Sequence, residues 1–462
     1  MPIIIMKFGV VLKECLSSSN SSVRNFSEIT GINRGWIYNI FNGKKSLPQE
    51  RFLKILSTYP FTKNQKKDLV MSYYSDMYGE KNFQKIQYII SSLNNFTKNP
   101  KDNRLLKPTK KYTMQSESLN DTKSIIDATI YLLNGIIHSE NSFIYTNFSY
   151  GQEEINNLFY SYLSNYEKIE YYHLVNFDTT GIDIHNLRNI FVSMKYAALG
   201  YTTYYHYSNF STPLQLDNIF PFFITTNRGF LVYDADIEKG FLLTDSYILK
   251  SFIEKNQALF SKATPLVTFY QNQNLLIRQF SKNRIFSNAL TNISCYPIIP
   301  YFLDKNGYFE TIYNSDEEKS FNDVFFYFQS LLLNNDTTIL LNIDGFEKLS
   351  HKKMMPPLKD KFSKSDIKEI LSMLKKQVKE KKVFFVDNRL VYIPEHINII
   401  ADNSSVLFLG ITKTQLNYYI QLDNPIMSSD FDMFKDYIMK HKYYYDDTYV
   451  SHVLNHLESL LS

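Results

Sequence analysis

Cysteine is nearly absent. The 462 residues hold two, Cys15 and Cys295, far apart in the chain. They give no basis for a disulfide framework, and the expected home is a reducing cytoplasm. Long apolar runs are missing too. The opening MPIIIMKFGVVL is broken by Lys7 and followed by no small-residue cleavage site, so it is not read as a signal peptide. No later run nears the roughly 20 residues that a membrane helix requires, so no membrane partner is expected. Catalytic signatures are absent as well: there is no G-x-x-x-x-G-K cradle, no G-x-G-x-x-G, no H-E-x-x-H and no G-x-S-x-G elbow. No catalytic residue, no metal and no cofactor is therefore expected, and the chain is read as something other than an enzyme.

What is present points to a folded protein of several parts. Apolar residues make up 44% and charged residues 21%, which excludes a disordered chain. The length is too great for a single ordinary core. The 36 Tyr and 36 Phe read as biased codon usage plus core packing. The net charge of +4 is uneven. Residues 1–80 carry eight Lys and three Arg against six Asp or Glu, a net +5, and the remainder sums to −1. A basic head on a near-neutral body suits contact with nucleic acid at the head.

The first 80 residues read as five short helices. Phe8, Val11, Leu12, Cys15 and Leu16 give the first an apolar face. The run SSSNSS breaks it. Ser22 caps a second helix carrying Phe26 and Ile29, and Gly31 ends it. Asn33 caps a third, from Arg34 to Asn42, with Ile37 and Ile40 inward and Gly43 as the stop. Pro48 suits the first turn of a fourth, whose stripe is Phe52, Leu53 and Leu56. A fifth, about 62–78, presents Leu69, Tyr73 and Met77.

Within this stretch, FSEITGINRGWIYNIFNGKKSLP (26–48) resembles the helix-turn-helix of Cro- and phage-repressor-type regulators, the XRE family. The match lies at Gly31-Ile32-Asn33-Arg34, at Ile37 and Ile40, and at Asn42-Gly43-Lys44-Lys45, with the small Ser27 where two helices cross closely. It covers less than a fifth of the chain. The resemblance implies a dimeric regulator that binds double-stranded DNA. Its base-contacting positions would fall on Arg34, Gly35, Tyr38 and Asn39. A helix in the major groove needs a polar outer face, and Arg34 can donate twice to a guanine edge while Asn39 suits adenine or a phosphate. The Asn42-Gly43 backbone, Lys44 and Lys45 would neutralise phosphates. Asn33 opens the helix, and Trp36, the only tryptophan, either wedges it onto the core or touches the duplex. Two positions depart from the family: Val23 stands where a polar phosphate-holding residue is usual, and Phe41 where Glu precedes Asn-Gly.

The remainder reads as α/β. A helical extension and lysine-rich linker occupy 81–118, and strand-like and helix-like runs then alternate. Two lobes, 119–290 and 291–462, are one way to divide the region. The runs 221–262 and 405–441 both follow strand, turn, strand, helix, with few residues in common, which raises an internal duplication. The Lys-rich 351–382 reads as a solvated helix face. Asp234, Asp236 and Glu238 read as turn residues, His452 and His456 as surface histidines, Cys295 as an inert thiol, and Tyr201, Tyr204, Tyr205 and Tyr207 as core rather than pocket lining. The expectation is a cytoplasmic homodimeric regulator that answers an unknown small molecule or peptide through its C-terminal region. An enzyme or effector with an autoregulatory head, and a protein-binding scaffold, are the alternatives.

Overall fold

The computed structural model describes residues 7–96, 112, 116–137, 142–166, 169–177, 184–207, 219–270, 291–295, 337–345, 364–395, 397–412 and 417–461. The chain has an all-α head and a large region of mixed α and β structure built on two sheets. The division between the two compact units falls between Tyr88 and Ile89.

The head holds α1 (Phe8–Ser18), α2 (Val23–Thr30), α3 (Arg34–Phe41), α4 (Gln49–Thr58) and α5 (Lys63–Tyr78). Their ends are set by local chemistry. Ser22 accepts from the Asn25 amide as the N-cap of α2, and Gly31 closes it at φ 72°, a left-handed conformation that glycine adopts cheaply. Thr62 and Gln65 form a reciprocal capping box at the start of α5. The same Gln65 side chain donates to the Cys15 carbonyl and to the hydroxyls of Ser18 and Ser19. At the other end of α1, the Asp76 carboxylate accepts from the Phe8 amide at 2.9 Å. Side chains of α5 thus hold both ends of α1. The core is aromatic: Phe52 stacks on Tyr73 at 3.8 Å, and Phe8 meets both edge-on. The face of α4 differs from the sequence expectation. Phe52 and Ile55 are buried, whereas Leu53 is 48% exposed. In α2, Phe26 is buried and Ile29 is 42% exposed. Helices this short bury a stripe one or two residues wide, so neighbouring packing rather than periodicity selects the inward position.

Helix α6 (Glu80–Asn94) leads out of the head. Within the larger unit, the Asn94 side chain donates to the Leu390 carbonyl and accepts from the Tyr392 amide.

The first sheet has the order β1-β7-β6-β5-β2-β3-β4-β8. Its strands are β1 (Ser116–Leu119), β2 (Phe143–Thr146), β3 (Glu170–Phe177), β4 (Thr203–Tyr207), β5 (Phe222–Thr226), β6 (Gly229–Tyr233), β7 (Gly240–Leu243) and β8 (Thr264–Pro265). Helices α7 (Thr122–Ile136), α8 (Glu153–Asn165), α9 (His185–Ala198) and α10 (Ser246–Phe260) connect or flank them. The second sheet has the order β12-β11-β10-β13-β14-β15-β9. It is built from β9 (Val267–Tyr270), β10 (Thr291–Ser294), β11 (Thr338–Asn342), β12 (Val383–Val386), β13 (Ile397–Ala401), β14 (Val406–Ile411) and β15 (Asn417–Leu422), with α11 (Lys364–Lys379), α12 (Pro425–Lys440) and α13 (Asp447–Ser459).

Both sheets follow one plan. Parallel strands β4, β3 and β2 correspond to β12, β11 and β10. The antiparallel series β5, β6, β7, completed by β1, corresponds to β13, β14, β15, completed by β9. A helix follows each last hairpin strand, capped by Asp245 in one case and by Asn424 in the other. Even the edges agree: β8 pairs with β4, and Tyr444 bridges to Val386 of β12. The repeat glimpsed in the hairpin-and-helix runs thus extends to the topology of the whole sheet. The change of sheet falls at Leu266, ahead of the expected break at 290/291, and β1 already pairs inside the stretch expected as linker. Helix α9 packs on β3 and β4 and also on β14 and β15. There, Tyr418 donates to the Met194 carbonyl at 3.3 Å. Opposite Tyr418 stands Gly410, where a methyl group would lie 2.2 Å from the tyrosine ring.

Of the four tyrosines expected in the core, Tyr201 is buried, Tyr204 and Tyr205 are half-buried, and the side chain of Tyr207 lies outside the described residues. Tyr201 donates to the carbonyls of Leu163 and Tyr166, Tyr204 packs on Tyr172 and Phe260, and Tyr205 meets Phe177 edge-on. Beneath them, His173 is fully buried between Phe148 and Tyr150. Its Nε2–H donates to the Phe148 carbonyl at 2.9 Å, so Nδ1 accepts from the Tyr171 hydroxyl at 2.7 Å. Burial drives its pKa from 6.5 down to about 3. The unfolded chain therefore takes up a proton below pH 6.5 that the folded chain refuses. This histidine leaves stability unaffected above that pH. Between there and about 3, its contribution is a loss of up to about 1.4 kcal/mol for each pH unit of acidification. Thermal unfolding between pH 7.5 and 5 should show H173Q losing part of the acid sensitivity of the parent; equal slopes would refute the assignment.

Candidate nucleic-acid interface

The arrangement begins at the turn between α2 and α3. Ser27 donates its hydroxyl to the Ile32 carbonyl at 2.6 Å, and the Gly31 amide donates to the Ser27 carbonyl at 2.9 Å. Ile32 is buried and anchors the turn in the core. Asn33 then adopts an extended backbone, and its Oδ1 accepts from the Gly35 amide at 2.8 Å. The first turn of α3 is thus fixed by a residue that also stands among the proposed DNA contacts. As the cap, Asn33 positions the helix. N33A is expected to cost about 1 kcal/mol of stability, seen in denaturant unfolding, and N33D to recover most of it; loss of DNA affinity without loss of stability would show a direct contact instead.

Ile37 and Ile40 face inward, both buried. The opposite face carries Arg34, with its side chain 54% exposed, Gly35, and Tyr38, also 54% exposed. Asn39 is half-buried at the edge of that face. Gly35 sits beside its own cap: a methyl group there would lie 3.2 Å from the Asn33 Oδ1 and meet nothing else nearby. Arg34 lies 3.9 Å from the Glu28 carboxylate, which Arg24 holds more closely at 2.9 Å. An exposed pair at that distance restrains Arg34 weakly and leaves its guanidinium free to engage a ligand.

Beyond α3, the backbone differs from the sequence reading. The amides of Asn42 and Gly43 donate to the carbonyls of Tyr38 and Ile40, and those of Lys44 and Lys45 to the Asn39 carbonyl. All four are engaged within the head. The side chains of Asn42, Lys44 and Lys45, in contrast, are exposed. Of the two departures from the family pattern, Val23 is half-buried at the first residue of α2, and Phe41 packs edge-on against Tyr38.

Trp36 is half-buried, and cations from two other segments lie over its ring: Arg51 of α4 at 4.2 Å from the centroid, and Lys45 at 5.9 Å. Sequence reasoning missed Arg51, because only the packing of α4 brings it to α3. Gly9 was missed too. It lies where α1 crosses α3, and a methyl group on it would stand 2.0 Å from the Ile40 carbonyl oxygen.

The groups weighed for chemistry elsewhere lie apart from this arrangement in the sequence. Asp234 accepts from the Glu238 amide at 2.8 Å and shapes its turn. His452 and His456 are exposed on α13, and Cys295 is a buried free thiol. Among the described residues, no three His, Cys, Asp or Glu side chains converge as a metal-binding group, and no helix is long and apolar enough to cross a membrane.

No protein-family model and no curated protein sequence matches the chain. Among solved structures, it is similar to TrmBL2, described as an archaeal chromatin protein that shows a novel mode of DNA binding. That match covers 56% of this chain and 93% of the other at 10% identity, with a TM-score of 0.22, a likeness too slight to bear on fold or function.

Proposed function

We propose that the chain is a DNA-binding transcriptional regulator of the XRE type that reads a duplex through α3. The observation carrying this reading is a helix whose inner face is apolar, whose outer face is Arg34, Gly35 and Tyr38, and whose flank is cationic through Lys44, Lys45 and Arg51. A face of that composition matches the donor and acceptor pattern of a major groove, while the flanking cations match its phosphates. On this reading Arg34 and Tyr38 choose sequence, and Asn42, Lys44 and Lys45 set affinity and register. Two copies acting together would place their α3 helices about 34 Å apart in successive grooves, and the effect on transcription, not catalysis, is the output.

The test is an anisotropy titration of the full chain against labelled duplexes at several salt concentrations. Several phosphate contacts predict a log K that falls steeply and linearly with log salt, with a slope near −0.9 per phosphate neutralised. Binding that is absent, or insensitive to salt, would end the proposal and favour a head that docks on protein.

A further inference from the structure

Resting on that reading, we propose that Arg51 is a backbone-phosphate ligand of the bound duplex, and that Arg51, Trp36 and Lys45 together form a clamp beside the reading helix. Three segments contribute. Trp36 comes from α3, Lys45 from the loop that follows it, and Arg51 from α4. Both cations lie over one indole ring. A guanidinium over an aromatic face keeps the N–H donors around its edge directed outward, in a fork suited to two phosphate oxygens.

The ion pairs of α2 and α3 converge on Glu28, and among the described residues neither Arg51 nor Lys45 is in an ion pair. The Nε1–H of Trp36 is enclosed and has no acceptor among the described residues. The clamp also answers the departures at Val23 and Phe41. Where the family resemblance calls for polar residues, this head has apolar ones, and Arg51 of α4, held over the α3 indole, provides phosphate affinity instead. An acidic protein would satisfy the same charges; a duplex is chosen as the occupant because Trp36 belongs to the same short helix, α3, that exposes Arg34 and Tyr38.

The sole tryptophan of the chain makes the clamp directly observable. The full-length protein is titrated with a fluorophore-labelled mixed-sequence duplex of about 20 base pairs, and duplex anisotropy and Trp36 emission are followed together. The emission is expected to change and saturate at the same midpoint as the anisotropy. R51Q is expected to weaken all duplex sequences alike and to make the log K against log salt slope shallower by about 0.9, while R51K keeps the slope. K13Q, which removes one charge from α1, serves as the control and should leave the emission change intact. If the duplex binds while Trp36 emission stays flat, or if R51Q keeps the parental slope or matches K13Q in slope and emission, the clamp is overturned and the reading through α3 stands. If no duplex binds, both fall.

Discussion

Replacing Arg34 with glutamine is expected to lower affinity for the protein's preferred DNA sequence by about tenfold to a hundredfold, while affinity for mixed-sequence duplex falls much less. The magnitude follows from what a bidentate arginine–guanine contact contributes, about 1–3 kcal/mol of discrimination, at roughly 1.4 kcal/mol per tenfold. Arg34 is well placed for it. Its side chain is half-exposed at the first turn of α3, behind a cap that fixes the helix start, and its one ionic neighbour among the described residues is the shared Glu28 at 3.9 Å. Folding should be unaffected, because the side chain supports no core contact and its loss removes only an exposed pair. Adding N39A should deepen the loss by less, since Asn39 is half-buried while its carbonyl anchors the loop at Lys44 and Lys45. Competition titrations of preferred against mixed-sequence duplex separate the two affinities. A proportional loss on both would make Arg34 a phosphate contact and move sequence choice to Tyr38.

Gly9 to alanine should be as damaging by a different route. The atoms a methyl group would meet are the Ile40 carbonyl oxygen and carbon and the Phe41 Cα, at 2.0, 2.9 and 3.0 Å. All are backbone, so no side chain can turn aside, and α1 must separate from α3. Overpacking of this kind costs about 1–3 kcal/mol, sometimes more, and here it displaces the end of α3. G9A should lower the unfolding temperature of the head and weaken every duplex. G35A is the informative contrast, because its methyl group meets only the Asn33 side chain. It should leave the unfolding temperature of the head near the parental value and affect sequence choice alone. A G9A protein with parental stability would show that the close crossing of α1 and α3 is not needed.

How far the sequence foretold these features depended on range. The turn from α2 to α3 was legible because its determinants are local: Ser22, Gly31 and Asn33 act on backbone within a few residues of themselves. Ile37 and Ile40 were legible because a three-residue step repeats one helical face. Gly9 and Arg51 were not, since their roles exist only once α1 and α4 have packed. In the larger unit the hairpin of β5 and β6 was legible within the run 221–262, read as strand, turn, strand, helix. Strands β2 and β12, in contrast, are short apolar segments, FIYT and VFFV, with no alternation to mark them. The common plan of the two sheets lay deeper still. It resides in pairings such as Thr146 with Ile224 and Ser294 with Asn398, positions whose side chains differ although the strands occupy the same place. Topology of that kind survives exchange of core residues, so long as volume and burial are kept.

The most direct measurement is genome-wide footprinting of the full-length protein beside its R34Q variant. The account predicts a recurrent short sequence at the parental sites, shared by them and lost or relaxed in R34Q, with protection falling in major-groove faces. Footprints with no sequence in common, or an identical set from both proteins, would contradict a reading role for α3.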